Sequence, residues 1–259
     1  MNNDHRFVLV HDVGTTGNKA CLYRLGKSIE LVDSHLVEYP LYILENGGVE
    51  QKADEWWAAI TESTKKVIQQ SGITPDAIQG MAFCAQMQGF IPVDQNGVAL
   101  RNPLSYMDSR SSVQIERYLY DGLIKINGWN AFKLLRWLQV TGGAAATVKD
   151  PLWKYLWVHD NEPDVFAAMH RWMDVKDYLV LRSTGEFAMG YDSAHATFLF
   201  DTRPGKLEWH EGLCRTFDVD LAHLPKVIGA TDVAGKLQAG PAKELGLPAG
   251  LPLFGGGGD

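Results

Sequence analysis

Cysteine is scarce in this chain, and long apolar runs are missing. Cys21, Cys84 and Cys214 are odd in number and far apart, and no C-x-x-C motif occurs, so they predict buried, reduced thiols and not a disulfide framework. No stretch approaches the roughly 18 apolar residues that a membrane span requires. The apolar run 7–10 is too short for the core of a signal peptide. These absences predict a cytoplasmic protein with no membrane partner.

An excess of basic residues is also missing. The 259 residues include 24 Lys and Arg against 31 Asp and Glu, which gives a formal net charge of −7. Nucleic acids and anionic membranes select clustered Lys and Arg, and the longest basic run here is the pair 65–66. Hydrophobic residues make up 46% of the chain and charged residues 21%, which excludes a disordered protein. We therefore expect a folded chain with no nucleic-acid partner.

Four widespread catalytic motifs do not occur in the contexts they need. The sequence has no G-x-x-x-x-G-K-[ST] loop, no G-x-S-x-G elbow and no H-E-x-x-H pair. No G-x-G-x-x-G follows a predicted strand and opens a helix. The eight histidines do not cluster at the spacing of zinc ligands. A P-loop NTPase, an α/β-hydrolase, a zinc protease and a Rossmann dehydrogenase are thereby disfavoured.

The hydrophobic pattern predicts a mixed α/β fold that begins with strands. Residues 7–13, 18–25 and 29–39 predict three consecutive strands, which is a β-meander and not a βαβ unit. The helix that follows, 51–70, has Asp54 as its candidate N-cap. The remaining predictions are strands at 78–85, 90–93 and 251–254, a turn at 94–97, helices at 113–120, 152–159, 165–172 and 175–182, and loops with short helices at 201–248.

The sharpest local feature is the loop between the first two predicted strands, Asp12-Val13-Gly14-Thr15-Thr16-Gly17-Asn18-Lys19. Glycines permit positive φ, so successive backbone N–H groups can converge on phosphate oxygens. The Thr hydroxyls add donors, and Lys19 adds a positive charge. Asp12 is placed to hold Mg²⁺ through water, because Mg²⁺ keeps several of its own waters. An ordinary hairpin with a G-T-T-G turn accounts for the same residues.

Three other segments combine polar groups with chain reversals. The side-chain amides of Gln86–Gly89 can hydrogen-bond sugar hydroxyls, although the segment taken alone favours a polar strand end with Met87 in the core. Asp108 and Arg110 form either a surface salt bridge or part of a ligand site. The segment Gly255–Asp259 places a carboxylate after glycines, which allows a substrate to approach closely. A flexible linker or an artificial chain end would look the same.

Taken in order, these segments resemble the N-terminal half of a carbohydrate kinase of the FGGY family, in the actin/hexokinase/Hsp70-like superfamily. Asp12–Lys19 is similar to D-x-G-T-[ST]-x-x-[KR], and Gln86–Gly89 is similar to the Q-M-H-G segment of the xylulokinase branch. Tyr106–Arg110 resembles W-x-D-x-R, and Gly256–Asp259 matches G-G-G-D. Further matches are Asp150–Trp157, Lys176–Leu179, Leu181–Phe187 and Tyr191–Ala194. The joint occurrence of these motifs in this order is highly specific.

The resemblance implies a ribonuclease H-like α/β domain, in which helices flank a mixed five-stranded sheet. Residues 1–259 would be the sugar-binding domain with the first phosphate loop, and its partner would be an ATP-binding C-terminal domain that this chain lacks. ATP and Mg²⁺ are the implied cofactors, and a homodimer is compatible with the resemblance. We expect the isolated chain to fold and to turn over ATP poorly or not at all.

The resemblance also implies a role for each matched residue. Asp259 would be the general base, and Asp12 would organise the Mg²⁺. The phosphate loop would be lined by Gly14, Thr15, Thr16 and Lys19, and the sugar would be surrounded by Met87, Gln88, Tyr106 and Asp108. Phosphoryl transfer depends mainly on positioning and charge stabilisation, so one carboxylate within hydrogen-bond reach of the attacking hydroxyl is a sufficient base.

Two residues depart from the family pattern on the sugar side. Gln88 stands where the xylulokinase branch has His, and Tyr106 stands where Trp is common. The absence of an Arg-Glu pair after Gln86 argues against a glycerol kinase, and a ketopentose, with D-xylulose first, is the expected substrate. Two alternatives stay open, an actin-like nucleotide-binding protein with a structural or regulatory role and a non-catalytic sugar-binding domain.

Overall fold

The computed structural model describes residues 6–259, so residues 1–5 of the predicted domain lie outside the described range. The strands are β1 (Arg6–Val13), β2 (Gly17–Leu25), β3 (Ile29–Glu38), β4 (Tyr42–Ile43), β5 (Val49–Glu50), β6 (Ile78–Ala85), β7 (Ile91–Val93), β8 (Lys125–Ile126), β9 (Trp129–Asn130), β10 (Arg171–Met173), β11 (Ala188–Gly190), β12 (Phe200–Asp201), β13 (Glu208–Trp209), β14 (Lys226–Ile228), β15 (Val233–Lys236), β16 (Pro252–Phe254) and β17 (Gly257–Gly258). The α-helices are α1 (Ala53–Ser71), α2 (Ser112–Leu119), α3 (Ala131–Thr141), α4 (Pro151–Asn161), α5 (Pro163–Ala168), α6 (Val175–Thr184), α7 (Tyr191–Ala196), α8 (Glu211–Thr216) and α9 (Ala239–Leu245). Short 3₁₀ turns occur at Pro75–Ala77 and Leu221–His223.

A mixed sheet lies at the centre of the fold, with the order β15-β16-β6-β1-β2-β3, and β17 also pairs with β6. Strands β1, β2 and β3 form the predicted antiparallel meander, and β6 runs parallel to β1. The sheet has seven strands where five were expected. Two features account for the difference. The path along β6 is divided into two strands, β16 and β17, and β15 adds an antiparallel edge.

The strand path along β6 is interrupted at Gly256, which has a φ of +71°. This left-handed conformation favours glycine. A Cβ at Gly256 would also lie 2.1 Å from the carbonyl oxygen of Phe83 on β6. The close approach of the two backbones therefore requires a glycine, and the chain returns to β6 as β17 immediately afterwards.

The register of the sheet places distant residues in one row. Asp12 lies opposite Lys19 of β2 and opposite Cys84 of β6, and Cys84 lies opposite Gly257 of β17. Directly paired residues share a face of a sheet, and so do residues two apart on a strand. Asp12 and Asp259 are therefore brought to the same face, near the ends of β1 and β17.

Helices α1 and α6 pack against the opposite face of the sheet. The apolar stripe of α1 buries Trp56, Ile60 and Val67, as the sequence pattern predicts, and α1 contacts β2 and β3. Helix α6 packs on β6, and residues of both helices share one core with Leu9 and Phe83. A second core, rich in aromatic residues, is formed largely by α2, α3, α4 and α8.

Three local predictions need correction. The N-cap of α1 is Lys52, while Asp54 lies in the first turn and pairs with Arg182 at 2.6 Å. Residues 171 and 172, at the end of the predicted helix 165–172, instead belong to β10, because β10 pairs with β7. Helix α3 was not predicted, since Phe132 and Leu135 are exposed and obscure its apolar stripe.

Within residues 6–259, no helix has both the length and the apolar content that crossing a membrane requires. The three cysteines are free thiols, as expected from their spacing.

Candidate active site

The loop between β1 and β2 is anchored through its backbone carbonyl groups. The Tyr39 hydroxyl donates to the carbonyl of Gly14 at 2.6 Å, and the Tyr39 N–H donates to the carbonyl of Thr16 at 3.0 Å. The side-chain amide of Gln51 donates to the carbonyl of Thr15 at 2.9 Å. Three successive carbonyl oxygens are thus satisfied from within the protein.

The same loop leaves donors free on its outer side. Among residues 6–259, no acceptor is bonded to the backbone N–H groups of Thr15 and Thr16. A cavity of about 250 Å³ opens here, and its lining includes the predicted phosphate residues Asp12, Gly14, Thr15, Thr16 and Lys19. A concavity with unpaired backbone N–H groups, hydroxyl groups and a lysine suits phosphate oxygens.

A second cavity, of about 460 Å³, adjoins the first at Thr15, which lines both. It contains three of the four predicted sugar residues and the predicted base. Its lining is Thr15, Gln86, Met87, Gln88, Tyr106, Ala196 and Asp259. The hydroxyl groups of Thr15 and Tyr106 lie 3.4 Å apart across the boundary. Segments far apart in the sequence therefore meet in one site.

Gln88 is held in a left-handed conformation, with a φ of +62°. A buried carboxylate, Asp174, accepts hydrogen bonds from the N–H groups of Gln88 at 2.9 Å and Gly89 at 2.8 Å. The ammonium group of Lys154, which is fully buried, donates to the carbonyl oxygen of Gln88 at 2.6 Å. Both sides of this residue's backbone are fixed, so the unusual φ is imposed by tertiary contacts.

Burial is the main cause of the pKa shifts of both Asp174 and Lys154. It raises the pKa of Asp174 to about 7, with the negative charge of Asp177 adding to the effect. It lowers the pKa of Lys154 to about 8, against the opposing charges of Asp108 and Asp174. Both shifts favour the neutral form, as expected for ionisable groups in a low-dielectric interior.

The segment that carries Asp259 is positioned by a second network of hydrogen bonds. The Asp259 N–H donates to the carbonyl of Ala85 at 3.1 Å, and the Gly258 N–H donates to Asp192 Oδ2 at 2.6 Å. Lys176, whose side chain is 2% exposed, donates to Asp192 Oδ1 at 2.9 Å. A carboxylate held by a lysine thus fixes the backbone one residue before Asp259.

Cys84 lies beside the predicted base, and its Sγ donates to Asp259 Oδ1 at 3.4 Å. The expectation that all three cysteines are buried is wrong for Cys84, which is half-buried. Burial and, to a smaller extent, the carboxylates of Asp259 and Asp12 together raise the pKa of the Cys84 thiol to about 11. The thiol is therefore a neutral donor near pH 7.

The pKa of Tyr39 is affected by both carboxylates of the site, Asp12 and Asp259. Burial raises the pKa of its phenol well above the usual range, and the charges of Asp12 and Asp259 add to that increase. Both carboxylates therefore lie within electrostatic range of a hydroxyl that anchors the loop.

Asp108 is not brought to the cavity. Its side chain is 1% exposed and accepts hydrogen bonds from the Val49 N–H at 2.9 Å and from Arg110 at 2.7 Å. Arg110 also pairs with Glu50 at 2.8 Å, so this ion pair is buried and is not a surface salt bridge. Asp108 holds the segment that carries Tyr106, and its direct contact with a sugar stays a prediction.

Sequence reasoning missed the residues that support the site. These are Gln51, Lys154, Asp174, Lys176 and Asp192, together with Ala196 in the cavity wall. Lys154, Lys176 and Asp192 fall in segments that carry the family resemblance, but no role was assigned to them. A buried lysine and an exposed one look alike in a sequence, and only packing distinguishes them.

The mixed sheet, the anchored Gly-Thr loop and the carboxylate at the end of a neighbouring strand define an α/β domain of the actin/hexokinase-like class. Solved structures with this fold include a xylulose kinase from Rhodospirillum rubrum, with a TM-score of 0.84 and 23% identity over 98% of this chain and 49% of that one. A xyloylose kinase from Brucella ovis gives a TM-score of 0.82 and 25% identity, again over 98% and 49% of the two chains. The predicted fold class is confirmed.

Residues 7–259 match the family described as the FGGY family of carbohydrate kinases, N-terminal domain. The chain belongs to this family, as the resemblance of its motifs indicates. A xylulose kinase from Staphylococcus epidermidis is 32% identical over 253 residues, which cover 97% of this chain and 47% of that protein. The chain spans about half the length of the curated relatives it matches.

Proposed function

We propose that this chain is the sugar-binding N-terminal domain of an ATP-dependent kinase that phosphorylates a ketopentose such as D-xylulose. One observation carries the proposal: Asp259 lines the same cavity as Met87, Gln88 and Tyr106, and that cavity adjoins the Gly-Thr loop at Thr15. A base, an acceptor site and a phosphate site are thus contiguous. This is the arrangement that transfer of a phosphoryl group to a hydroxyl requires.

In this proposal Asp259 accepts the proton of the attacking sugar hydroxyl. The hydroxyl oxygen forms the new bond to the γ-phosphorus, the bond from that phosphorus to the leaving ADP oxygen breaks, and the hydroxyl proton passes to the Asp259 carboxylate. The hydrogen bonds to Ala85 and Asp192 hold the segment in place, and the Cys84 thiol orients one oxygen of the base. Positioning of this kind is the main contribution a protein makes to such a transfer.

The loop 14–17 and Lys19 would receive the nucleotide phosphates, and Asp12 would face the associated Mg²⁺. Asp12 is exposed in the loop cavity, opposite Lys19 in the sheet. In the described part of the chain, no group of three or more His, Cys, Asp or Glu side chains could hold a metal ion. A single carboxylate fits an ion that arrives with a nucleotide and retains its waters. When bound, Mg²⁺ would neutralise charge on the phosphate oxygens.

A neutral sugar suits the second cavity better than a sugar acid does. The seven lining residues of that cavity include amide, hydroxyl and thioether groups and one carboxylate, with no cationic side chain among them. A sugar carboxylate would have no partner there and would lie close to Asp259, whereas hydroxyl groups have both donors and acceptors. A volume of about 460 Å³ accommodates a five-carbon sugar.

The proposal assigns the adenosine site to a C-terminal domain, as the two-domain organisation of the resemblance implies. It also places the protein in the cytoplasm, where ATP and sugar substrates meet. A homodimer stays a prediction.

Asp259→Asn in the intact kinase tests the proposed base. The variant keeps the size of the side chain but cannot accept the proton, so we expect kcat for D-xylulose to fall by at least about 10²-fold while the sugar Kd stays within about threefold. The measurement is steady-state ADP formation together with calorimetric sugar binding. Glu244→Gln, a change on α9 outside both cavities, is the matched control.

Near-normal turnover by Asp259→Asn would remove Asp259 from the mechanism. ATP binding with no response to any sugar would instead favour an actin-like nucleotide-binding protein, and sugar binding without phosphorylation by the intact protein would favour a non-catalytic sugar-binding domain.

A further inference from the structure

Two backbone N–H groups of the loop 14–17 each share a peptide unit with a carbonyl that a side chain holds. The Gly14 carbonyl accepts from the Tyr39 hydroxyl at 2.6 Å, and the Thr15 carbonyl accepts from Gln51 Nε2 at 2.9 Å. The N–H in the first of these peptide units belongs to Thr15, and the N–H in the second belongs to Thr16. Within residues 6–259 neither N–H has an acceptor. The two side chains therefore hold the same two peptide units that carry the free donors.

The planarity of the peptide bond links the direction of each carbonyl to the direction of its N–H. In a planar trans unit the C=O and the N–H point in opposite directions, and both units here are trans. Tyr39 and Gln51 are buried, so each draws its carbonyl towards the protein interior. The two N–H groups are thereby directed to the outer side of the loop, where the cavity of about 250 Å³ lies.

Neither side chain can exchange its role in these contacts. Burial raises the pKa of the Tyr39 phenol well above its usual range, so near pH 7 the hydroxyl is protonated and donates. A carbonyl can only accept, so Gln51 must present its NH₂ group to Thr15. Gln51 Oε1 then accepts from Gln86 Nε2 at 2.7 Å, which holds the Gln51 amide in this orientation.

We infer that Tyr39 and Gln51 are positioning residues that aim the two free N–H groups of the loop at the phosphate oxygens of the nucleotide. The inference rests on the proposed function, because it assumes that the loop 14–17 receives those phosphates. Neither side chain lines the loop cavity, so both act only through the backbone of the loop. Converging backbone N–H groups bind anions, and donors that are already oriented lose less freedom when the anion arrives.

Tyr39→Phe in the intact kinase is the cleanest test, because it removes one oxygen atom and keeps the buried ring. The Gly14 carbonyl then loses the donor that fixes its peptide unit. We expect the KM for ATP and the calorimetric Kd for MgADP to rise about tenfold, as for the loss of one aligned hydrogen bond to a charged group. The Kd for D-xylulose should stay within about threefold, because Tyr39 does not line the second cavity.

Gln51→Met removes the second contact, because methionine is similar in length but has no N–H to donate. We expect the same rise of about tenfold in the KM for ATP and in the Kd for MgADP. Gln51 also bonds Gln86 of the sugar cavity, so the comparison between nucleotide and sugar affinity is made on Tyr39→Phe. Tyr39→Phe also carries the test if Gln51→Met does not fold.

Tyr42→Phe is the matched control, because it removes the same atom from a hydrogen bond of the same length. The Tyr42 hydroxyl donates to Glu55 Oε1 at 2.6 Å, and Tyr42 lines neither cavity. Tyr42→Phe should leave the KM for ATP and the Kd values for MgADP and D-xylulose unchanged.

Failure of the inference and failure of the proposed function give different results. An unchanged nucleotide affinity in Tyr39→Phe or in Gln51→Met would refute the role of that residue while the kinase activity stands. Equal losses of nucleotide and sugar affinity in Tyr39→Phe would show a merely structural role and refute the inference. If the unmodified protein forms no ADP with any ketopentose but Tyr39→Phe still weakens MgADP binding, the proposed function fails and the positioning role stands.

Discussion

At the scale of single residues, the hydrogen-bond donors and acceptors around His11 are fixed by its buried neighbours. The Ser63 hydroxyl donates to the carbonyl of Ile60, so its oxygen is left to accept from Asn18 Nδ2 at 2.7 Å. The same Asn18 amide lies 3.2 Å from Nδ1 of His11, which must therefore accept. A protonated His11 would direct an N–H at this donor. Together with burial, this arrangement requires a neutral imidazole.

His11 predicts a pH dependence of stability. Burial lowers its pKa from 6.5 to about 4. The unfolded chain therefore binds more protons than the folded chain between these pH values, so His11 lowers the free energy of unfolding as the pH falls through this window. Its maximum contribution to the slope is about 1.4 kcal/mol per pH unit, and it vanishes above pH 6.5. Urea unfolding at a series of pH values measures it.

His11→Gln should flatten this dependence between pH 6.5 and 4, because the variant has no imidazole to protonate. His35→Gln on the neighbouring β3, where the histidine is half-buried, is the control and should leave the slope closer to that of the unmodified chain. Identical slopes for the unmodified chain and His11→Gln would contradict the assignment.

At the scale of elements, the fold places the ends of strands where side chains can converge. The parallel pairing of β1, β6 and β17 brings the residues after these strands to one edge of the sheet. The Gly-Thr loop follows β1, the segment 86–89 follows β6, and Asp259 follows β17. The site is thus built by the carboxyl ends of three strands, which is a common position for ligands in α/β sheets.

Gly256, which lies between β16 and β17, and Gly257, the first residue of β17, offer a matched pair of substitutions. Gly256→Ala should lower the free energy of unfolding by at least about 1–3 kcal/mol, because the left-handed φ disfavours alanine and the new methyl group meets the carbonyl of Phe83. A methyl group at Gly257 meets no atom within 4 Å, so Gly257→Ala should leave stability nearly unchanged. Thermal and urea unfolding compare the two, and equal losses would refute the argument.

At the scale of the whole molecule, the proposed sugar cavity lies at the junction of two hydrophobic cores. Ala85 belongs to the core under α1 and α6, and Phe90 belongs to the aromatic core that includes much of α4. The segment that joins them, 86–89, is the one fixed by Asp174 and Lys154. A ligand in the cavity therefore contacts a segment that both cores hold rigid.

This arrangement predicts that the isolated chain binds a ketopentose without help from another domain. We expect saturable calorimetric binding of D-xylulose, a rise in melting temperature with sugar concentration, and no sugar-dependent ADP formation at the rate of an intact kinase. The residues proposed to bind the sugar and the proposed base are present in the chain, whereas no site for adenosine is proposed on it. Sugar-dependent ADP formation by the isolated chain at the full rate would contradict the two-domain proposal.

The sequence by itself determined the meander and the positions of α1, α4 and α6. It also identified the motifs Asp12–Lys19 and Gln86–Gly89, which line adjoining cavities. Periodicity, glycine turns and motif order are local properties, so they can be read from the sequence. It also placed Asp12 and Asp259 in one family pattern. It could not show that Asp108 forms a buried ion pair with Arg110 or that Cys84 lies beside Asp259. Nor could it show that Gln51 donates to the carbonyl of Thr15, the residue that lines both cavities. Those facts depend on strand register and burial, which join residues far apart in the chain. Only the tertiary structure decides which polar groups find partners and which remain for a ligand.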